Sequence, residues 1–258
     1  MITWPSRSHD AGLLVPSLRS RFPKKGQIGK WRLIVDLSSP RGQVLTMVLT
    51  QMSSPCTTSN DQIIRMVAKY GHRAQMAKFD VEAAYRNVAV HPEDRYPLGM
   101  KWRSQFYVDL ALPFRLRSAP YIFNAVADMV EWILINKYNV GDLRHYLDDF
   151  IKAGPASSDQ CANNLQTSTT VCWSLGLSLH PNKCIGPSTC LVVLGIELDS
   201  LEQSACLPAD KLAVLRELIQ SWRLRRWCTG RQLESLIGHL HHADKVVWAR
   251  TYFFAPHD

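Results

Sequence analysis

Tyr146-Leu147-Asp148-Asp149, set between His145 and Phe150-Ile151, is the stretch on which the fold turns. Two adjacent acids between short apolar arms suit the tip of a tight β-hairpin. Taken alone the pair specifies little, because such dipeptides are common in turns. Upstream stands Phe79-Asp80-Val81-Glu82-Ala83-Ala84-Tyr85, which reads as a strand over residues 78–81 followed by a turn of helix. One carboxylate after an apolar residue, then an adjacent pair, is the pattern a two-metal nucleotidyl-transfer site requires. Two hard cations about 3.5–4 Å apart are clamped there by oxygen ligands from different strands. Mg2+ keeps several waters and takes few carboxylates, so three aspartates suffice.

The surrounding pattern is that of strands with packed helices. Residues 30–37, KWRLIVDL, are β-rich and end at Ser38-Ser39-Pro40; residues 106–110 form a further strand. Ile63, Ile64, Val67 and Ala68 recur at helical spacing over residues 61–70. Ser118 is placed to cap a helix with Pro120 in its first turn, and Ile122, Val126, Met129 and Ile133 would be its apolar stripe. Ser157-x-x-Gln160 reads as a capping box for a helix carrying Leu165, Cys172 and Leu175, stopped by Gly176. LVVLGIEL, residues 191–198, is a second hairpin candidate. From residue 208 the pattern is helical, with Leu212, Leu215, Ile219 and Trp222 on one stripe. Thr229-x-x-Gln232 caps another helix carrying Leu233, Ile237 and Leu240.

At 258 residues the chain can bury a core in one large or two modest domains. Its 46% hydrophobic content is that of a globular protein. A net charge of +8 favours a polyanionic partner, through salt-sensitive and sequence-independent attraction. Seven cysteines, odd in number and without a C-x-x-C pair, argue against a disulfide framework and for a reducing compartment. His239, His241 and His242 follow Cys228 at a spacing that matches no zinc finger, and they lie in a helical pattern, so no metal is expected there. The N-terminus has no apolar signal core, and no run reaches the ~18 apolar residues of a membrane span. These features imply an intracellular protein, cytoplasmic or nuclear, neither secreted nor bound to a membrane.

FDVEAAYR, LPFRLRSAPYIF, YLDDF, GLSLHPNKC and LVVLGIEL, in this order, resemble the successive palm motifs of a reverse transcriptase. KWRLIVDLSSPRG resembles the fingers motif upstream of them. The wording is most similar to retrotransposons of the tyrosine-recombinase (DIRS) group, with gypsy-type elements more distant. The likeness runs from about Phe22 to Phe253, leaving out residues 43–60. It implies an α+β polymerase right-hand fold, with fingers and palm of antiparallel sheet plus helices and a helical thumb. Residues 1–21 would be an irregular N-terminal segment, 22–203 fingers and palm, and 204–258 a truncated helical thumb or connection. The implied activity is RNA-directed DNA polymerisation, a nucleotidyl transfer of dNTPs onto a primer over an RNA or DNA template. The implied cofactor is Mg2+, with Mn2+ as the alternative. Oligomeric state is left open.

The resemblance also assigns roles. Asp80, Asp148 and Asp149 would be the metal ligands. Lys183, in HPNKC, aligns with the lysine region held to protonate the leaving pyrophosphate. Tyr85 matches the steric gate, an aromatic ring that leaves no room for a ribonucleotide 2′-hydroxyl. Arg32 matches the fingers arginine on the incoming triphosphate, assisted by Lys25 or Lys24. Phe114 and Arg115 fall in the nucleotide-binding stretch. LVVLGIEL would be the primer grip, and the tail from residue 208, with Arg223, Arg225, Arg226, Arg231 and Lys245, the duplex-contacting thumb.

Two departures stand out. Arg115 follows Leu112-Pro113-Phe114 where the family has glycine, a residue that lets backbone approach the nucleotide closely; lowered polymerase activity is the expectation. Residues 43–60, QVLTMVLTQMSSPCTTSN, carry no charge in a chain that is 20% charged. The stretch replaces a polar segment of the family and reads as a compensated frameshift in a decaying element. A degenerate remnant that at most binds nucleic acid is therefore the alternative. A third reading, an RNA-templated RNA polymerase, is opposed by Tyr85.

Overall fold

The computed structural model describes residues 2–3, 18–23, 31–35, 58–95, 98–102, 105–114, 116–223 and 225–247. Lys24, Lys25, Arg115 and residues 43–57 lie outside them, as does the side chain of Arg32. The strands are β1 (Ile2–Thr3), β2 (Leu18–Pro23), β3 (Trp31–Val35), β4 (Gln75–Asp80), β5 (Gly99–Trp102), β6 (Gln105–Val108), β7 (Leu143–Tyr146), β8 (Asp149–Gly154), β9 (Ile185–Ser188), β10 (Cys190–Val193), β11 (Ile196–Asp199) and β12 (Ser204–Cys206). The α-helices are α1 (Asn60–Ala68), α2 (Ala119–Tyr138), α3 (Gln160–Ser174), α4 (Ala209–Arg223) and α5 (Gly230–Val247). Contacts group Met1–Cys56 with Ala83–Asp128, and Thr57–Glu82 with Met129–Asp258.

In the second group, β7, β8, β4 and β9 form an antiparallel sheet in that order. β4 lies inside this sheet, and Met76, Ala77, Phe79 and Asp80 are all buried. A strand covered on both faces shows no alternation, which is why its first residues escape a periodicity reading. The neighbouring sheet has the order β10-β11-β12. Its inward residues Leu191, Val193, Ile196 and Leu198 share a core with Ile63 and Ile64 of α1, Met76 of β4 and Ile151 of β8. Each such side chain, fully buried, contributes about 1.5–3 kcal/mol. β9 passes β4 so closely that a Cβ on Gly186 would lie 2.6 Å from the Met76 carbonyl oxygen and 2.7 Å from Ala77 Cα. Only glycine fits there.

Local signals account for most helix ends. α1 starts on a capping box: Ser59 Oγ accepts from the Gln62 amide, and Gln62 Oε1 accepts from the Ser59 amide. α5 starts on the expected one between Thr229 and Gln232. α3 ends as expected at Gly176, whose φ is +78°. There the Leu177 amide donates to the Cys172 carbonyl and the Gly176 amide to that of Trp173, the two bonds of a Schellman motif. At its other end the expected box is absent. Ser158, not Ser157, accepts from the Gln160 amide, and Ser157 sits at φ +60°.

α2 begins one residue after Ser118 with Pro120 in its first turn, but its buried stripe is rotated from the expectation. Phe123, Ala127, Val130 and Leu134 are covered, as are Ala119 and Asn124, whereas Met129 is 63% exposed. Apolar residues occur almost all round this helix, so spacing alone does not choose between adjacent stripes.

In the first group, β5 and β6 form a hairpin with β1 on the far edge of β6, and β2 pairs with β3. Val90, Leu98, Met100, Leu112, Leu116 and Ala119 form its core, flanked by Tyr85, Tyr107 and Ile122. Among the described residues no helix is long and apolar enough to cross a membrane.

Candidate active site

The β4–β8 register decides the geometry of the acids. Asp80, last residue of β4, pairs directly with Asp149, first residue of β8. Asp149 also pairs with Tyr146 across the hairpin, so Leu147 and Asp148 form its turn. Leu147 has φ +54°, and the Val81 amide donates to the Asp148 carbonyl at 3.0 Å, tying the turn to the end of β4. One row behind, Phe79 and Phe150 pair on the opposite face. Their rings stack at 4.8 Å with 6° between planes, and both are fully buried. His145 tilts against Phe150 at 5.4 Å, and its Nδ1 lies 2.6 Å from Glu131 Oε2 on α2. The acids thus stand at a sheet end whose underside is packed solid.

The HPNKC segment reaches the same point. The His180 amide donates to the Asp80 carbonyl at 2.9 Å, and Val81 bridges to Leu179. A 3-10 turn over Pro181–Lys183 then delivers Lys183, whose Nζ donates to Asp80 Oδ2 at 2.5 Å. Asp80, Asp148, Asp149 and Lys183 are therefore brought to one place.

Burial, then the charges of Asp148 and Asp80, push the Asp149 carboxyl up to about 6. Burial likewise raises Asp148, with Asp80 adding to the shift and Lys183 opposing it. Burial disfavours the Lys183 ammonium, but its bond to Asp80 and the charges of Asp149 and Asp148 outweigh that and raise its pKa. Crowded acids that resist ionising together are a site short of positive charge. Among the described residues no three acidic, histidine or cysteine side chains close into a metal cage. Lys183 places a cation on Asp80. Hard carboxylate oxygens, crowded and electrostatically unsatisfied, fit a hard divalent ion, and Asp80, Asp148 and Asp149 are the residues that would hold it.

Residues 22–198 match the family described as reverse transcriptase (RNA-dependent DNA polymerase). The chain belongs to that family. Its domain is accordingly that of an RNA-directed DNA polymerase, a nucleotidyltransferase. No curated protein matches the chain. Among solved structures it is similar to the foamy viral protease-reverse transcriptase in complex with dsDNA, at 15% identity and a TM-score of 0.67, over 94% of this chain and 44% of that one. A second, the foamy viral protease-reverse transcriptase dRH in complex with ds DNA, matches at 15% identity and TM-score 0.65, over 94% and 37%. The same foamy viral protein in complex with RNA/DNA hybrid matches at 14% identity and TM-score 0.60, over 84% and 26%. At such identities the likeness is one of fold, the α+β right-hand fold of polymerases. The chain spans less than half the length of these relatives.

Elsewhere in this reverse-transcriptase domain, Tyr85 lies in a 3-10 turn over Ala84–Asn87, entered through Ala83 at φ +52°. Its ring meets Phe114 at 5.5 Å and Phe123 at 6.0 Å. Phe114 is 56% exposed, so the two expected nucleotide-binding rings form a half-open aromatic wall. Arg86, beside Tyr85, donates to the buried Asp109 at 2.5 Å and to the Ala111 carbonyl, fixing the turn to the segment after β6. The basic residues Arg225, Arg226, Arg231 and Lys245, about α4 and α5, are exposed.

Several structural participants went unread in the sequence. Phe123, Arg86 and Asp109 hold the Tyr85 turn, and Lys78 donates to the Val192 carbonyl at 2.6 Å. Each makes a long-range contact that leaves no local pattern. Only the positions of Arg86 inside FDVEAAYR and of Phe123 at the end of LPFRLRSAPYIF offered a signal.

Proposed function

We propose that this domain extends a primer by nucleotidyl transfer from dNTPs over an RNA or DNA template, as part of a retrotransposon of the tyrosine-recombinase (DIRS) group. The observation that carries this reading is the direct pairing of Asp80 with Asp149 beside the Asp148 turn, with Lys183 on Asp80. Fingers and palm would occupy residues 22–203 and the thumb would begin at 204. Foamy viral relatives of the same fold are complexes with dsDNA and with RNA/DNA hybrid, which supports a primed duplex as the partner.

Asp80, Asp148 and Asp149 would hold Mg2+, or Mn2+. When bound, that pair of ions supplies activation of the primer 3′-hydroxyl and charge neutralisation on the triphosphate. The chain's own groups do the rest. The buried Phe79–Phe150 pair keeps the acids in register. Lys183 carries a proton at Nζ beside Asp80 and would be the proton donor to a leaving pyrophosphate. Tyr85 walls the sugar and excludes a 2′-hydroxyl. Arg32 and Lys25 would bind the triphosphate, with Phe114 and Arg115 beside the nucleotide. The β10–β11 hairpin would hold the primer end. The net charge of +8 supplies attraction to phosphate. The cysteine usage supports an intracellular, reducing compartment.

Primer extension by the purified domain tests this, with dNTPs against rNTPs and Asp148→Ala as control. Template-directed incorporation of dNTPs, abolished in the control, is the expected result; none at any Mg2+ or Mn2+ concentration defeats it. A second reading, a catalytically impaired remnant, is favoured by Arg115 and by the uncharged residues 43–60. Translating that stretch in the other two frames tests the frameshift, which fails if neither restores the family wording.

A further inference from the structure

The β10–β11 hairpin is held at two carbonyls by donors from three other elements. Its turn is Leu194-Gly195, between the last ladder pair Val193 and Ile196, with φ +45° and +82°. The two turn residues of such a hairpin lie outside the ladder, so their carbonyls need partners from elsewhere. Gly195 finds two. Lys211 Nζ on α4 and His242 Nε2 on α5 each lie 3.2 Å from its oxygen. A carbonyl only accepts, so His242 donates to it in the tautomer that carries the proton on Nε2, and Lys211 Nζ lies 3.5 Å from the same nitrogen. One turn further along α5, Val246 packs on the core that contains Val193 and Ile196, and so does Leu194 itself. The helix therefore reaches the hairpin tip through His242 and the shared core through Val246, both on one face. On the other side Lys78, two residues before Asp80, donates to the Val192 carbonyl at 2.6 Å. A side chain on Gly195 would displace its two partners, since its Cβ would lie 2.4 Å from Lys211 Nζ and 2.9 Å from His242 Cε1, on a backbone at φ +82° that strains any other residue.

We infer that Lys211 and His242 are positioning residues that lock the tip of the β10–β11 hairpin against α4 and α5, and so set where the primer end lies relative to Asp80. This rests on the polymerase reading, in which the hairpin grips the primer. Neither side chain touches reacting atoms. Their effect passes through the Gly195 carbonyl into a hairpin whose far strand is tied by Lys78 to the metal-binding strand. Loosening the tip should weaken the hold on the duplex and leave nucleotide binding alone.

The test compares Lys211→Met, His242→Ala, the double variant, His242→Gln and Gly195→Ala with the unaltered chain. Two measurements are made: amide hydrogen exchange at residues 193–196, and steady-state primer extension with separate titrations of primer–template and dNTP. The double variant should exchange about tenfold faster at the tip and raise KM for primer–template about tenfold, the loss of a hydrogen bond or two. KM for dNTP should stay within twofold. His242→Gln, which keeps a side-chain donor, should recover most of the loss. Gly195→Ala should exceed the double variant, because it displaces both donors and also strains a turn residue at φ +82°. Unchanged exchange and unchanged KM for primer–template in the double variant overturn the inference. So does an equal rise in both KM values, the mark of general destabilisation. If the unaltered chain extends no primer, the polymerase reading fails, and the exchange measurement by itself still decides whether the lock exists.

Discussion

Lys183 Nζ lies 2.5 Å from Asp80 Oδ2, an ammonium half in solvent on a carboxylate that is 3% exposed for its residue as a whole. On the proposed reading a divalent ion would bind Asp80 where the lysine stands, so the two would compete. Lys183→Ala should lower the rate of incorporation about 10²-fold, with KM for dNTP nearly unchanged. It should also enlarge the rise in Tm produced by Mg2+, because no ammonium has to be displaced. Single-turnover incorporation and thermal melts read both effects. An unchanged rate removes Lys183 from the mechanism.

Asp149 makes the metal-free domain sensitive to pH. Its folded pKa of about 6 lies above the ordinary 3.8, so between those values the folded state binds a proton more tightly than the unfolded chain. Stability from this group is present below about pH 4 and is lost as pH rises through 6. Discounted for partial exposure, the loss is about 1–2 kcal/mol. Asp149→Asn should abolish it and raise the metal-free Tm at pH 7.5. Mg2+ needs the carboxylate, so its affinity should fall as pH drops below 6. Equal Mg2+ affinity at pH 5 and pH 7.5, measured by calorimetry, contradicts this account.

Tyr85 is expected to discriminate through its ring, not its hydroxyl. Tyr85→Phe keeps the packing against Phe114 and Phe123 and should preserve the preference for dNTPs. Tyr85→Ala opens the wall and should improve rNTP use relative to dNTP by about tenfold or more. Equal selectivity in both variants assigns the exclusion of ribonucleotides to another group.

Phe150 bridges Phe79 and His145 beneath the acids. Phe150→Ala should cost about 3–5 kcal/mol, the usual effect of emptying a buried aromatic site. Phe150→Leu should cost less. It loses the stacked pair, worth about 0.5–1.5 kcal/mol beyond area, and lets Asp149 drift from Asp80. Extension by Phe150→Leu at full rate would show that this packing does not position the carboxylates.

Arg115→Gly restores the residue the resembled family carries at this position, one that lets backbone approach a nucleotide closely. Primer extension should rise. No gain transfers the blame for any low activity to residues 43–60.

Much of this molecule was legible one segment at a time. The YLDD hairpin, the Thr229–Gln232 capping box, the Gly176 helix stop and the 191–198 hairpin all followed from turn and cap chemistry. The register that faces Asp80 with Asp149 did not, although both residues were picked out. Pairing strands this far apart in the chain is decided by the packing of Phe79 and Phe150, and no local pattern encodes it. Likewise Lys183 was aligned only by family wording, and its place on Asp80 depends on the backbone tie from His180. The stripe of α2 was misread by one residue because neighbouring faces are almost equally apolar.

The sequence by itself determined which groups are candidates for the chemistry, since carboxylates, a lysine and aromatic rings at those spacings are chemical facts of the chain. Tertiary structure decided how they meet: the facing acids, the lysine that holds one of them, and the Lys211–His242 lock on Gly195. Caps and tight turns close their hydrogen bonds within a few residues and so leave a readable mark. Ion pairs and carbonyl contacts between distant segments leave none, because their partners become neighbours only when the core packs.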